Sequence, residues 1–133
     1  MELKLALSRW HSVASNGSKQ DELSAILHDD VVFHSPVVHT PQEGKPIVMA
    51  YLTAASQTLG NQSFTYVREV LSGDTAVLEF TTEMEGIHVN GVDMIRFDRD
   101  GMIVDFKVMV RPLKAVNKVW EMMASQLELM REQ

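Results

Sequence analysis

Asp93 is the residue of this sequence best suited to acid chemistry. It lies in the run Gly91-Val92-Asp93-Met94-Ile95-Arg96-Phe97. Strand alternation puts it on the same side as Ile95 and Phe97. A carboxylate among such neighbours is costly unless it is hydrogen-bonded or protonated, and burial raises its pKa. Asp93 is therefore expected either to act as an acid or hydrogen-bond donor toward a ligand oxygen, or to be a structural aspartate bonded to Trp10 or to a helix terminus. His34 is the candidate base, because imidazole exchanges protons near neutrality. Simple alternation points His34 away from the interior, and only a bulge forced by Pro36 would turn it inward. His39, in the following loop, stands at an expected pocket mouth. His11, His28 and His88 read as surface residues. Tyr51 lies on the apolar side of a helix and could offer a phenol to the interior or serve as a core aromatic.

Other chemistries find no residues. The 133 residues include no cysteine, so disulfides, thiolate nucleophiles and cysteine metal sites are excluded. His34 and His39 are five apart across a strand and a loop, which is not zinc spacing, so no metal is expected. There is no Gly-rich phosphate loop and no nucleophile elbow, and no cofactor is implied. Twelve Lys and Arg against eighteen Asp and Glu give a net charge of −6, which argues against nucleic acid. The opening MELKLALSRW is broken by Glu2, Lys4 and Arg9, and no apolar run approaches the ~20 residues that span a bilayer. A cytoplasmic protein with no membrane partner is the expectation.

The elements that must position these residues follow from periodicity. Leu3, Leu7, Trp10 and Ala14 predict an amphipathic first helix ended by Asn16-Gly17. Ser18 and Asp21 resemble a capping box opening a short second helix, which Asp29-Asp30 closes. Val31-Val32-Phe33-His34 is a short strand stopped by Pro36. After a loop, Pro46 opens a third helix carrying Ile47, Tyr51, Ala54, Ala55 and Thr58. From Ser63 the period becomes that of strands: Phe64 to Leu71, Thr75 to Met84, Val89 to Phe97 and Met102 to Arg111. Short Gly-bearing turns join them, so they form sequential antiparallel hairpins. Pro112 begins a last helix with Leu113, Val116, Trp120, Met123, Leu127 and Met130 along one side. The Met and Trp stripe of that helix reads as packing on the sheet rim or across a dimer. The chain is thus one domain over residues 1–133, with a core of about 10–111 and a C-terminal helix at 112–133. Its fold class is α+β: a cone-shaped α+β barrel, with three helices from the N-terminal half over a curved antiparallel sheet enclosing an apolar pocket.

The order and spacing of several segments carry a family resemblance. They are Asp29-Asp30-Val31-Val32-Phe33, Ser35-Pro36-Val37, Gly44 before the third helix, and Gly91 to Phe97 followed by Gly101. From about Trp10 to Arg111 the chain resembles the nuclear transport factor 2-like superfamily, in its SnoaL-like and ketosteroid-isomerase-like branch. In ketosteroid isomerases the residue matching Asp93 is a protonated aspartic acid that donates a hydrogen bond to the developing oxyanion. Their base is an aspartate where this chain has Ser35, and a serine hydroxyl is no base at neutral pH. Their oxyanion tyrosine lies on the first helix, where the nearest match is Trp10, which donates one hydrogen bond and accepts none. The family implies a fold; it hosts isomerases, cyclases, dehydratases and plain binding domains.

Alternation assigns the two faces of the sheet. The inner set includes Leu78, Phe80, Ile95, Phe97, Phe106 and Val108, with Asp93 as its polar member. With Trp10, Ser35 and Tyr51 these are the expected contacts of a small hydrophobic molecule. The outer set mixes Glu79, Glu83, Arg96, Lys107 and Arg111 with Val77, Met94 and Met109. That mixture favours a homodimer through the outer sheet face over a purely solvated one. Three functions remain open on the residues alone. One is an isomerase-, cyclase- or dehydratase-type enzyme acting on a small hydrophobic carbonyl compound through Asp93 and His34. The others are a non-catalytic binder with the same pocket and a structural homodimer.

Overall fold

Alternation over Thr75 to Phe97 builds the centre of the molecule. Ala76, Leu78, Phe80, Thr82 and Met84 are buried on one strand, and Val89, Gly91, Asp93, Ile95 and Phe97 on the next. The computed structural model describes residues 1–131. Its elements are α1 (Leu3–Ser15), α2 (Gln20–Ile26), β1 (Leu27–His34), β2 (Gln42–Glu43), α3 (Lys45–Thr58), β3 (Thr65–Ser72), β4 (Thr75–Met84), β5 (Ile87–Phe97), β6 (Ile103–Arg111) and α4 (Leu113–Arg131). The strands form one six-stranded sheet in the order β2-β1-β6-β5-β4-β3.

The meander from β3 to β6 is antiparallel throughout, as the short turns predict. The sheet as a whole is mixed, because β1 runs parallel to β6, with Phe33 opposite Phe106 and His34 opposite Lys107. Turn residues report only local pairing. The partner of β1 lies some seventy positions further along the chain, and no hairpin signal records it. The cross-strand rows then place side chains level with one another on the inner face. Asp93 sits between Leu78 and Val108, and Ile95 between Ala76 and Phe106. Gly91 sits opposite Phe80. A Cβ at Gly91 would collide with the Phe80 ring and come within 2.8 Å of the Met109 carbonyl. The missing side chain is what lets Phe80 lie across this strand.

Three local expectations change. Ser18 takes a left-handed conformation (φ 52°) and does not cap α2, whose N-cap Lys19 makes no side-chain cap bond. Asp29 and Asp30 do not end that helix; they lie exposed within β1, where the register with β6 shifts between Leu27 and Val32. In α4 the buried residues are Ala115, Val119 and Met123, whereas Leu113 is 75% and Trp120 60% exposed. The buried face is turned by about one residue from the stripe of large side chains, because α4 must lie against α3, where Thr58 donates to the Met123 sulfur at 3.5 Å. Met130, the last member of that stripe, falls outside the described side chains.

The remaining helices cover the inner face. α1 buries Ala6, Leu7, Trp10 and Val13, a stripe of helical period, and Trp10 meets Phe106 of β6 edge to face at 5.0 Å. α3 starts at Gly44, whose φ of 100° suits glycine, and carries Pro in its first turn. It buries Val48, Leu52, Ala54 and Thr58. Among the described residues no helix is long and apolar enough to cross a membrane.

Candidate active site

Side chains do not fill the space beneath the helices completely. A cavity of about 670 Å³ lies between α1, the end of α3 and the sheet. Ligand sites usually occupy about 300–1,000 Å³. Phe80, Phe106 and Val108 from the sheet, Leu52 and Leu59 from the α3 side, and Phe64 make its walls apolar. Phe64 stacks on Phe80 at 4.9 Å. Ser8, Ser12 and Ser15 of α1, with Gly60 and Asn61 after α3, line it and are exposed, so they mark where it meets solvent.

A chain of hydrogen bonds ends at the polar point of this cavity. The Trp10 indole N–H donates to the Tyr66 hydroxyl oxygen at 3.2 Å. The Tyr66 hydroxyl in turn donates to Asp93 Oδ2 at 2.6 Å. Asp93 is only 6% exposed. Burial pushes its carboxyl up from 3.8 to about 7, and the Tyr66 hydrogen bond pulls the other way by favouring the charged form. The Tyr66 phenol is itself pushed well above its ordinary value by burial and by the neighbouring Asp93. It therefore keeps its proton at neutral pH and remains a donor. No described side-chain nitrogen or oxygen is both buried and unpartnered. Among the described residues the carboxyl's hydrogen bond is made through Oδ2, and Asp93 lines the cavity. A substantial fraction of Asp93 is neutral near pH 7, and its Oδ1 can then present an O–H to a ligand oxygen.

A second titratable pair lies beside this chain. The imidazole Nε2 of His11 is 2.6 Å from Glu69 Oε1 on β3. The His11 ring stands edge to face against Tyr66 at 5.2 Å, and His11 lines the cavity. His11, expected at the surface, is 34% exposed there and also lines the cavity. The edge strand β3 carries Glu69 and Tyr66 across the flank of α1 and half-buries the imidazole.

The family comparison bears on the fold that holds this site. The SnoaL-like domain family matches residues 7–106. The chain belongs to that family. Among solved structures, this SnoaL-like domain is similar to a steroid delta-isomerase from Pseudomonas aeruginosa, at 35% identity and a TM-score of 0.91, covering 98% of this chain and 95% of that one. It is also similar to an uncharacterized protein with a cystatin-like fold from Silicibacter pomeroyi, at 29% identity and a TM-score of 0.83, covering 91% and 84%. A de novo designed protein with a curved β-sheet, 16% identical over 91% of this chain and 98% of its own, shares the fold alone, with a TM-score of 0.71. No curated protein matches the sequence.

In the SnoaL-like domain the expected site residues divide. Trp10, Phe80, Asp93, Phe106 and Val108 meet at the cavity. Leu78 and Ile95 also point inward, but they are fully buried in the packed part of the cone, outside the cavity wall. Tyr51 packs on Phe33 at 5.5 Å and does not reach the cavity. Ser35 Oγ accepts a bond from the Val37 N–H at 3.2 Å and so holds the turn after β1. His34 lies on the outer face, where alternation sends it, and its Nε2 is 2.9 Å from Asp105 Oδ1. The irregularity in β1 precedes Val32, so no bulge at Pro36 turns His34 inward. His39 is exposed and away from the cavity. Tyr66, Phe64 and His11 escaped the sequence reading. The available signal for the aromatics was their spacing, Phe64 just before β3 and Tyr66 within it, which puts both on one side of an extended chain.

Proposed function

We propose that this protein binds a small apolar carbonyl compound in the cavity and catalyses a proton transfer beside the carbonyl, an isomerase-type reaction. The observation that carries this reading is the Trp10–Tyr66–Asp93 chain, which ends in a carboxyl group poised near neutrality against apolar walls. A protonated Asp93 donates to the carbonyl oxygen and stabilises the negative charge that develops there when a neighbouring C–H is lost. The likeness to a steroid delta-isomerase supports the same class of reaction. A non-catalytic binder would use the same cavity, and turnover separates the two.

The test uses a bicyclic β,γ-unsaturated ketone, whose conversion to the conjugated enone is followed by ultraviolet absorption. Binding is followed in parallel by quenching of Trp10, with Trp120→Phe removing the other indole. Asp93→Ala should lower kcat about 100- to 1,000-fold, the usual cost of one oxyanion donor. The wild-type rate should fall as pH rises through about 7, where Asp93 loses its proton. A wild type that neither quenches nor isomerises would sink the reading, and saturable quenching without turnover would replace it by the binder.

The outer sheet face supports a second statement, about assembly. Val70 and Met109 are 53% and 50% exposed there, beside Arg96 and Lys107. We propose that this face, with exposed apolar side chains among charges of both signs, pairs with a second copy of this chain. Reversing Arg96 and Lys107 to Glu should shift the sedimentation profile toward monomer. An unchanged profile would count against the pairing.

A further inference from the structure

We infer that His11, oriented by Glu69, is the group that moves the proton in this cavity. This rests on the proton-transfer reading above and supplies the base that reading lacks. Of the cavity-lining residues three titrate: His11, Tyr66 and Asp93. Tyr66 holds its proton and spends it on Asp93. Asp93 is committed as donor to the carbonyl oxygen. The serines that line the cavity are no bases at neutral pH. The imidazole remains, and it is the side chain best suited to exchange protons near neutrality. The His34–Asp105 pair has the same chemistry but does not line this cavity.

The Glu69 contact also sets the tautomer of the neutral imidazole. The Glu69 carboxylate can only accept, so the 2.6 Å contact puts the proton on Nε2 and leaves the lone pair on Nδ1. Glu69 then holds the ring in one tautomer and stabilises the imidazolium once it forms, as a carboxylate does behind a catalytic histidine. The step balances without any co-reactant. The Nδ1 lone pair takes the α-proton of a β,γ-unsaturated ketone. The C–H electron pair becomes a carbon–carbon double bond, and the carbonyl π pair moves to the oxygen, which accepts the Asp93 hydrogen bond. On the return the carbonyl re-forms and the γ-carbon takes the proton from Nδ1–H. Glu69 is a positioning residue; His11 touches the reacting atoms.

The test separates base from binding site. The probe is 1-decalone, whose α-protons exchange in D2O and are read by NMR, and whose binding is read by Trp10 quenching in the Trp120→Phe background. The wild type should bind it and accelerate the exchange. His11→Gln should slow that exchange ~100-fold or more while the dissociation constant stays within about threefold, the signature of a lost general base. Glu69→Gln should lower kcat about tenfold with KM unchanged, as expected for a group acting through its neighbour. A His11→Gln variant that exchanges as fast as the wild type overturns the assignment. So does a wild type that binds decalone without exchanging it, although the ligand site then stands. A wild type that does not bind decalone overturns the functional reading itself.

Discussion

Asp93 and Asp105 lie on adjacent strands, and the parity of those strands sends them to opposite faces of the sheet. Asp93 faces inward between Leu78 and Val108, is 6% exposed, and is bonded by a neutral phenol. Asp105 faces outward, its side chain is 31% exposed, and it meets the imidazole of His34. The two histidine–carboxylate pairs repeat the contrast. His11–Glu69 borders the cavity, while His34–Asp105 borders only the outer surface. Residue type alone therefore does not make a site here. A carboxyl beside water and an imidazole can stay charged, whereas one beneath Phe80 and Phe106 must keep a proton or bear the cost of a buried charge.

The largest effect should come from removing the inner carboxylate's charge. The Asp93 carboxyl titrates near 7 in the folded protein against an ordinary 3.8. The folded state therefore holds this proton more tightly than the unfolded chain. The contribution to stability is fully present below about pH 4 and is lost as pH rises through about 7. Above that, the folded protein carries a buried charge. Asparagine has the same shape and never ionises. Asp93→Asn should thus gain stability relative to wild type by about 2–4 kcal/mol between pH 4 and pH 8. Urea unfolding at the two pH values measures this. An equal difference at both would mean that Asp93 is not desolvated, and the contrast between the two faces would collapse. The same substitution should lower turnover below about pH 7, where the wild-type carboxyl holds its proton, and should remove the fall in rate above it.

That contrast was only half legible in the sequence. Period two along β4, β5 and β6 was enough to put Asp93 with Phe106 and Val108, and to send His34 outward once no bulge intervened. What alternation could not reveal is how much of the inner face is already filled. Leu78 and Ile95 have the right parity, yet they are fully buried in packed core and do not line the cavity. The partner of Asp93 was likewise hidden. Tyr66 lies on an edge strand whose pairing with β4 shifts register between Tyr66 and Arg68, so its row depends on a contact twenty-seven positions away. His11 was missed for the related reason that a helix flank reads as exposed until a strand is laid across it. Local period reports which way a side chain points, and only tertiary pairing reports what it meets.

The smallest effect should come from the outer pair, and its smallness is what sharpens the comparison. His34 and Asp105 are 28% and 31% exposed, so water screens whatever attraction they share. His34→Gln keeps a polar side chain on that face and leaves Asp105 free to solvate. The loss should be about 0.5–1 kcal/mol, the range of partly exposed ion pairs, and readable as a small drop in the urea midpoint. Isomerisation of the β,γ-unsaturated ketone should be unchanged, since no part of His34 reaches the cavity. A large fall in kcat in this variant would place the base on the outer side of β1 and remove His11 from that role. Unchanged kcat with a small stability loss would leave the imidazole at the cavity as the one that can matter, and would show that two pairs built from the same groups differ in function through where the fold sets them.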